Sequence, residues 1–134
     1  MKAQVKWIGE EMFIGTSESG HTIVLDANAG ALAPSPLESV LISLGACSSV
    51  DVVSILEKAR QAITSCKVEI SAQRVDTVPK LFSDIHLHFV IQGNNVSTKH
   101  VERAISLSAD KYCSVALMLN KSVNITHDFE IMGL

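Results

Sequence analysis

Aromatic residues are scarce in this sequence, with one Trp, one Tyr and four Phe among 134 residues. Hydrophobic residues nevertheless make up 47% of the chain, so the core has to be built from Leu, Ile, Val and Ala. No run of Lys or Arg occurs and the formal net charge is −3, which removes the electrostatic footprint of a nucleic-acid binder. Cysteine is limited to Cys47, Cys66 and Cys113, an odd, sparse set unlike a secreted disulfide framework. The opening residues Met1 to Trp7 lack the apolar stretch of a signal peptide. The best candidate for a membrane span is interrupted by Ser39, Ser43 and Asp51, so no span is expected. A glycine-rich phosphate loop is missing, and Ser43, Ser48 and Ser49 have no nucleophile-elbow context. These absences point to one soluble, cytoplasmic domain over residues 1–134 that binds neither nucleic acid nor membrane.

What is present is organised around Pro36–Arg60, which reads as one helix. On a helical wheel Leu37, Val40, Leu41, Leu44, Val52 and Ile55 form a stripe. Ile42, Ala46, Val53 and Leu56 lie behind it, so the helix is apolar on almost every side and is expected to be buried. Residues 2–8 and 12–17 alternate like strands about Gly9-Glu10-Glu11, a hairpin signal, and 21–25 reads as a third strand. Ser35 is a candidate cap and Pro36 takes a favoured first helical position. Beyond the helix, 67–75 and 82–91 alternate with period two. Thr98–Tyr112 is amphipathic, Cys113–Leu119 reads as a further helical piece, and 122–131 as a closing strand. The order βββ-α-ββ-α-α-β predicts an α+β fold, an antiparallel sheet with helices packed on it.

Several residues invite a chemical reading. Cys47 sits mid-helix, where a free cysteine ordinarily packs as a small hydrophobe. Asp51 follows one turn later on the same side, and a carboxylate on an apolar stripe needs a partner or a proton. Unaided, its charge raises the Cys47 pKa, so thiolate chemistry there requires a donor or cation. Cys113 falls at the start of a short helix after Lys111 and Tyr112, a setting that lowers a thiol pKa; a packing role fits it equally well. Cys66 opens a strand and reads as structural. Glu38 points away from Cys47 around the helix and reads as a solvated first-turn carboxylate. His86 and His88 share a strand face, but a two-residue set lacks the further ligands of a metal site. No metal and no cofactor is expected.

Pro34-Ser35-Pro36-Leu37-Glu38 ahead of a buried helix, Gly45-Ala46-Cys47 within it, and Lys111-Tyr112-Cys113-Ser114-Val115 later together resemble the OsmC/Ohr family. The likeness runs over essentially the whole length, closest to a small branch whose helix continues Asp51-Val52-Val53-Ser54-Ile55-Leu56. The resemblance implies an intertwined homodimer, with sheets wrapped around long central helices and sites at the subunit interface. It also implies thiol-dependent reduction of organic hydroperoxides, with Cys47 as peroxidatic and Cys113 as resolving cysteine. A disulfide formed between them is reopened by an external dithiol.

The chain departs from that family pattern at three places. No arginine precedes Arg60, so Lys6 and His21, with Asp51, are the candidates to orient the Cys47 thiolate or the substrate. Leu37 stands where the family glutamate follows the proline, and Ser114 stands where a proline follows the resolving cysteine. The alternative is therefore a non-enzymatic homodimer that binds a small hydrophobic ligand or senses redox state through its thiols. A thiol-dependent hydrolase or transferase is more remote, since Cys47 has no evident histidine partner.

Overall fold

The structure, a computed structural model, describes residues 1–133. The chain divides into two compact units, Met1–Ile42 and Ser43–Leu134. The first holds β1 (Ala3–Gly9), β2 (Met12–Ser17) and β3 (Thr22–Asp26) in an antiparallel sheet of order β1-β2-β3. The loop after β3 is organised by the buried Asp26. Its carboxylate accepts the Asn28 and Leu32 amides at 2.7 and 2.8 Å, satisfying polar backbone that would otherwise lie bare.

That loop delivers the chain to α1 (Pro36–Lys58). Ser35 and Glu38 close its start reciprocally: the Glu38 amide donates to Ser35 Oγ at 3.1 Å, and the Ser35 amide to Glu38 Oε1 at 3.0 Å. This capping box satisfies two helix-end donors and gives Glu38 a local structural job. The far end comes earlier than the apolar pattern suggests. Arg60 takes a left-handed conformation, φ 59°, and the Arg60 and Gln61 amides donate back to the Glu57 and Leu56 carbonyls, each at 2.9 Å. That is a Schellman ending with arginine in the place where glycine is usual.

The second unit holds β4 (Ala62–Arg74), β5 (Phe82–Asn94) and β6 (Asn124–Gly133) in a sheet of order β4-β5-β6. Between β5 and β6 run α2 (Thr98–Leu107), a π turn (Ser108–Tyr112) and α3 (Ser114–Leu119). The α+β class holds. The sheet is mixed, however: β4 and β5 are antiparallel, whereas β6 pairs with β5 in parallel. A long helical connection can return the chain to the end where β5 began, which a tight hairpin cannot do. Alternate β5 residues Ile85, Leu87, Phe89 and Ile91 face inward and are almost fully buried, each contributing about 1.5–3 kcal/mol.

The expectation that the central helix is buried all round needs correction. Within the chain α1 buries one stripe, Leu44, Gly45, Ser48, Val52 and Leu56, while Ile42 and Val50 are exposed. By length and composition α1 is also apolar enough to cross a membrane, with a mean hydropathy of 1.9, contrary to the sequence expectation. Its packing against β4 marks it as a core helix. A Cβ added at Gly45 would lie 2.6 Å from Ile70 Cδ1 and 3.1 Å from Val68 Cγ1, so the glycine permits the close helix–sheet approach.

A candidate thiol site between the central helix and a π turn

The site lies within the second unit and is built from α1, the π turn and the start of α3. The predicted continuous helix 98–112 does not form. After Leu107 the backbone widens to a π turn, and the Cys113 amide donates to the Ser108 carbonyl at 2.8 Å. Single π turns inside helices often occur at functional sites. Here the turn gives Ser108 a polar partner on α1 and releases Cys113 into an extended conformation as the cap of α3.

Four side chains then form a connected polar set. Ser108 Oγ donates to Asp51 Oδ2 at 2.9 Å and lies 3.4 Å from the Ser48 carbonyl. Ser48 Oγ donates to Cys113 Sγ at 3.4 Å, and the Ala116 amide donates to the same sulfur at 3.4 Å. Ser48, Ser108 and Cys113 are all 2% exposed or less. The partner that Asp51 required is thus a serine hydroxyl. Cys47, half-buried on α1, lies close enough to Cys113 to act on it as hydrogen-bond partner and as neighbouring charge.

The pKa of Cys113 lies above its ordinary value, opposite to the sequence expectation. Burial is the largest cause. The Ser48 hydroxyl and Ala116 amide pull the pKa down, and the Cys47 thiol pushes it up again. Lys111, the cation thought to lower it, instead sits 5.4 Å over the Tyr112 ring. Cys66 does not open its strand but lies inside β4 opposite Ile91; burial raises its pKa, with Ser49 opposing.

A cavity of about 480 Å³ opens at Asp51, lined also by Ser54, Ile55, Arg103, Leu107 and Tyr112 among others; neither Cys47 nor Cys113 is among its lining residues. A smaller one of about 110 Å³ lies behind Ser48 and Ser108, against Phe89, Ile105 and His127. The other two candidate orienting residues belong to the first unit. Lys6 stands on β1 opposite Ile14, and His21 Nδ1 lies 3.2 Å from Ser19 Oγ.

His86 and His88 are drawn together by a residue of β6. Asp128 Oδ1 lies 2.9 Å from His86 Nε2 and 2.7 Å from His88 Nδ1. Among the described residues no three His, Cys, Asp or Glu are arranged to hold a metal ion.

Sequence reasoning did not foresee Ser48 and Ser108 as the polar partners of Cys113 and Asp51. Ser48 carried a readable signal: it falls four residues after Leu44 and four before Val52, on the inner stripe beside the visible cysteine. Ser108 carried one too, since it falls on the buried face of the amphipathic stretch with Val101, Ala104 and Ile105, and all four are buried; its bond to Asp51 was what no pattern showed.

The comparisons with known proteins agree with this architecture. The OsmC family model, described as "OsmC-like protein", matches residues 28–128. The chain belongs to the OsmC-like family. Protein YhfA of Escherichia coli K12, 51% identical over 99% of both chains, is a relative of the same length. The crystal structure of a hypothetical protein from Aquifex aeolicus VF5 is 30% identical, with a TM-score of 0.90 over 99% of this chain and 96% of that one. An organic hydroperoxide resistance protein OsmC from Legionella pneumophila superposes with a TM-score of 0.72 over 96% of this chain and 95% of its own. At 13% identity that last likeness speaks for the OsmC-like fold alone.

Proposed function

We propose that this OsmC-like protein is a thiol-dependent reductase of organic hydroperoxides, cytoplasmic and homodimeric, working through Cys47 and Cys113. The observation that carries the reading is that Ser48, the residue next to Cys47 on α1, reaches the buried Cys113 sulfur at 3.4 Å, which sets both cysteines at one place within one unit. The name of the Legionella relative supports the same substrate class. The Cys47 thiolate attacks a peroxide oxygen, the O–O bond breaks, and the alcohol leaves with a proton. The resulting Cys47 sulfenic acid condenses with the Cys113 thiol, releasing water and forming a disulfide. An external dithiol supplies the two electrons that reopen it. Asp51, held by Ser108, serves to orient thiolate or substrate.

With excess dithiol, the purified protein should consume cumene hydroperoxide faster than hydrogen peroxide, and Cys47→Ser should abolish turnover. Equal rates for wild type and Cys47→Ser with every peroxide would refute the enzyme reading. A second reading is a dimer that binds a hydrophobic ligand or senses redox state; the roughly 480 Å³ cavity at Asp51, with Ile55 and Leu107 in its wall, offers such a ligand a place. Alkylation of Cys47 against pH separates the two. A midpoint well below about 8.5 supports catalysis, and one above it supports binding or sensing.

A further inference from the structure

We propose that Cys113 is the leaving sulfur when the Cys47–Cys113 disulfide is opened, and that Ser48 is the positioning residue that makes it so. The inference rests on the two-cysteine reading and adds a direction to its last step. The two sulfurs are unequal in surroundings. Cys113 Sγ accepts two hydrogen bonds, from Ser48 Oγ and the Ala116 amide, each at 3.4 Å. The hydrogen-bond neighbour of Cys47 is the Cys113 thiol itself, a bond that is gone once the two sulfurs are joined. Cys113 is 0% exposed, whereas Cys47 is only half-buried.

Disulfide opening is an in-line displacement in which the attacked sulfur needs free approach and the departing one carries the electron pair away. Burial denies an external thiolate its approach to Cys113. Burial makes the developing charge costly and keeps the Cys113 pKa high, so departure of this sulfur depends on the two donors that meet the charge. The attacking thiolate therefore forms its S–S bond with Cys47, the Cys47–Cys113 bond breaks, and its electron pair goes to Cys113 Sγ. The second sulfur of the dithiol then attacks the first. It forms the reductant's own disulfide and releases Cys47 as thiolate. Two electrons come from the dithiol, and two protons return the cysteines to thiols.

Ser48 can hold its hydroxyl on this sulfur because its position is fixed from both sides. It lies on the inner stripe of α1 at 2% exposure, and the π turn is tethered to the same helix turn through Ser108 and Asp51.

The test uses the full chain carrying Cys66→Ala, oxidised with diamide so that no peroxidase turnover is required. A monothiol such as glutathione should be trapped as a mixed disulfide on Cys47, as read by peptide mass spectrometry. Ser48→Ala should slow opening by dithiothreitol about tenfold, the weight of one hydrogen bond to a charged group, and Ser48→Thr should restore most of it. Ser48→Ala in a Cys47→Ser background should also raise the alkylation midpoint of Cys113, a shift that a merely structural serine would not produce. Glutathione on Cys113, or an unchanged opening rate in folded Ser48→Ala, overturns the proposal while leaving the two-cysteine reading intact. If Ser48→Ala does not fold, trapping on the parent chain still decides it. A failure of diamide to join Cys47 to Cys113 overturns both readings.

Discussion

Arg60 is a residue held where its side chain is a disadvantage. Its φ of 59° brings Cβ toward the following carbonyl, at a cost of about 1–2 kcal/mol for an L-residue. Arg60→Gly is expected to raise stability by about 1 kcal/mol, read as a higher midpoint in thermal or urea unfolding. A lower midpoint would mean that the arginine side chain contributes more than its backbone costs. His88 offers a second measurement at this scale. A hydrogen bond to Asp128 is the first cause that raises its pKa above the ordinary 6.5, with Glu130 and Glu69 adding charge. Asp128 is lowered below 3.8 by His88 and then His86. Because the folded His88 pKa is raised, its contribution is complete below about 6.5 and is lost as pH climbs through the folded value. Because the Asp128 pKa is depressed, its contribution is present above 3.8 and disappears as pH falls through the folded value. The pair therefore holds from mildly acidic pH to somewhat above 6.5. In NMR titration the His88 midpoint should lie above 6.5 and move down in Asp128→Asn; an unmoved midpoint contradicts the assignment.

At the scale of elements, the two ends and the middle of α1 answer to different constraints. Its start rests on the reciprocal Ser35–Glu38 bonds, and Ser35→Ala should cost about 1 kcal/mol. Its middle rests on Gly45. Alanine there gains about 1 kcal/mol of helix propensity but crowds Ile70 and Val68, an overpacking cost of about 1–3 kcal/mol. Ile70 Cδ1 is a mobile chain end whereas the Val68 methyl is stiff, so a net loss of about 1 kcal/mol is expected in denaturant unfolding. A gain would show that α1 can move away from β4 freely. The helix itself was legible, since a long apolar run opened by Ser-Pro can be read locally. Its end was not: Ala59 and Arg60 fit the apolar and helical pattern, and only the observed turn shows that Arg60 reverses the chain. The break in α2 was illegible for the same reason. Ser108 to Tyr112 carry no glycine or proline, and a π turn has no residue signature of its own.

For the whole molecule, exposure is the informative quantity. Val5, Trp7 and Ile23 in the first unit, and Ile42 and Val50 on α1, remain exposed in the single chain. Large apolar side chains left open in each unit suit burial by a partner molecule, in keeping with the proposed homodimer. Sedimentation should give twice the 14.4 kDa chain mass, and Val50→Glu should shift it toward monomer. The thermal midpoint should also rise with protein concentration, as it does for a folded state stabilised by association. A monomer at micromolar concentration would remove the dimer from the functional reading.

The sequence by itself determined the α+β class, nearly every element and the central helix, because periodicity, caps and short motifs are local properties of the chain. The likeness to the OsmC/Ohr family was visible in the same local motifs. Tertiary structure alone decided the parallel pairing of β6, since strand direction depends on the path of an entire helical connection. It also decided that burial raises the Cys113 pKa despite the neighbouring lysine, and that the Ser48 hydroxyl is the polar side chain on its sulfur. Which atoms meet across α1 and the π turn depends on how residues about sixty positions apart are brought together, and no local pattern records that distance.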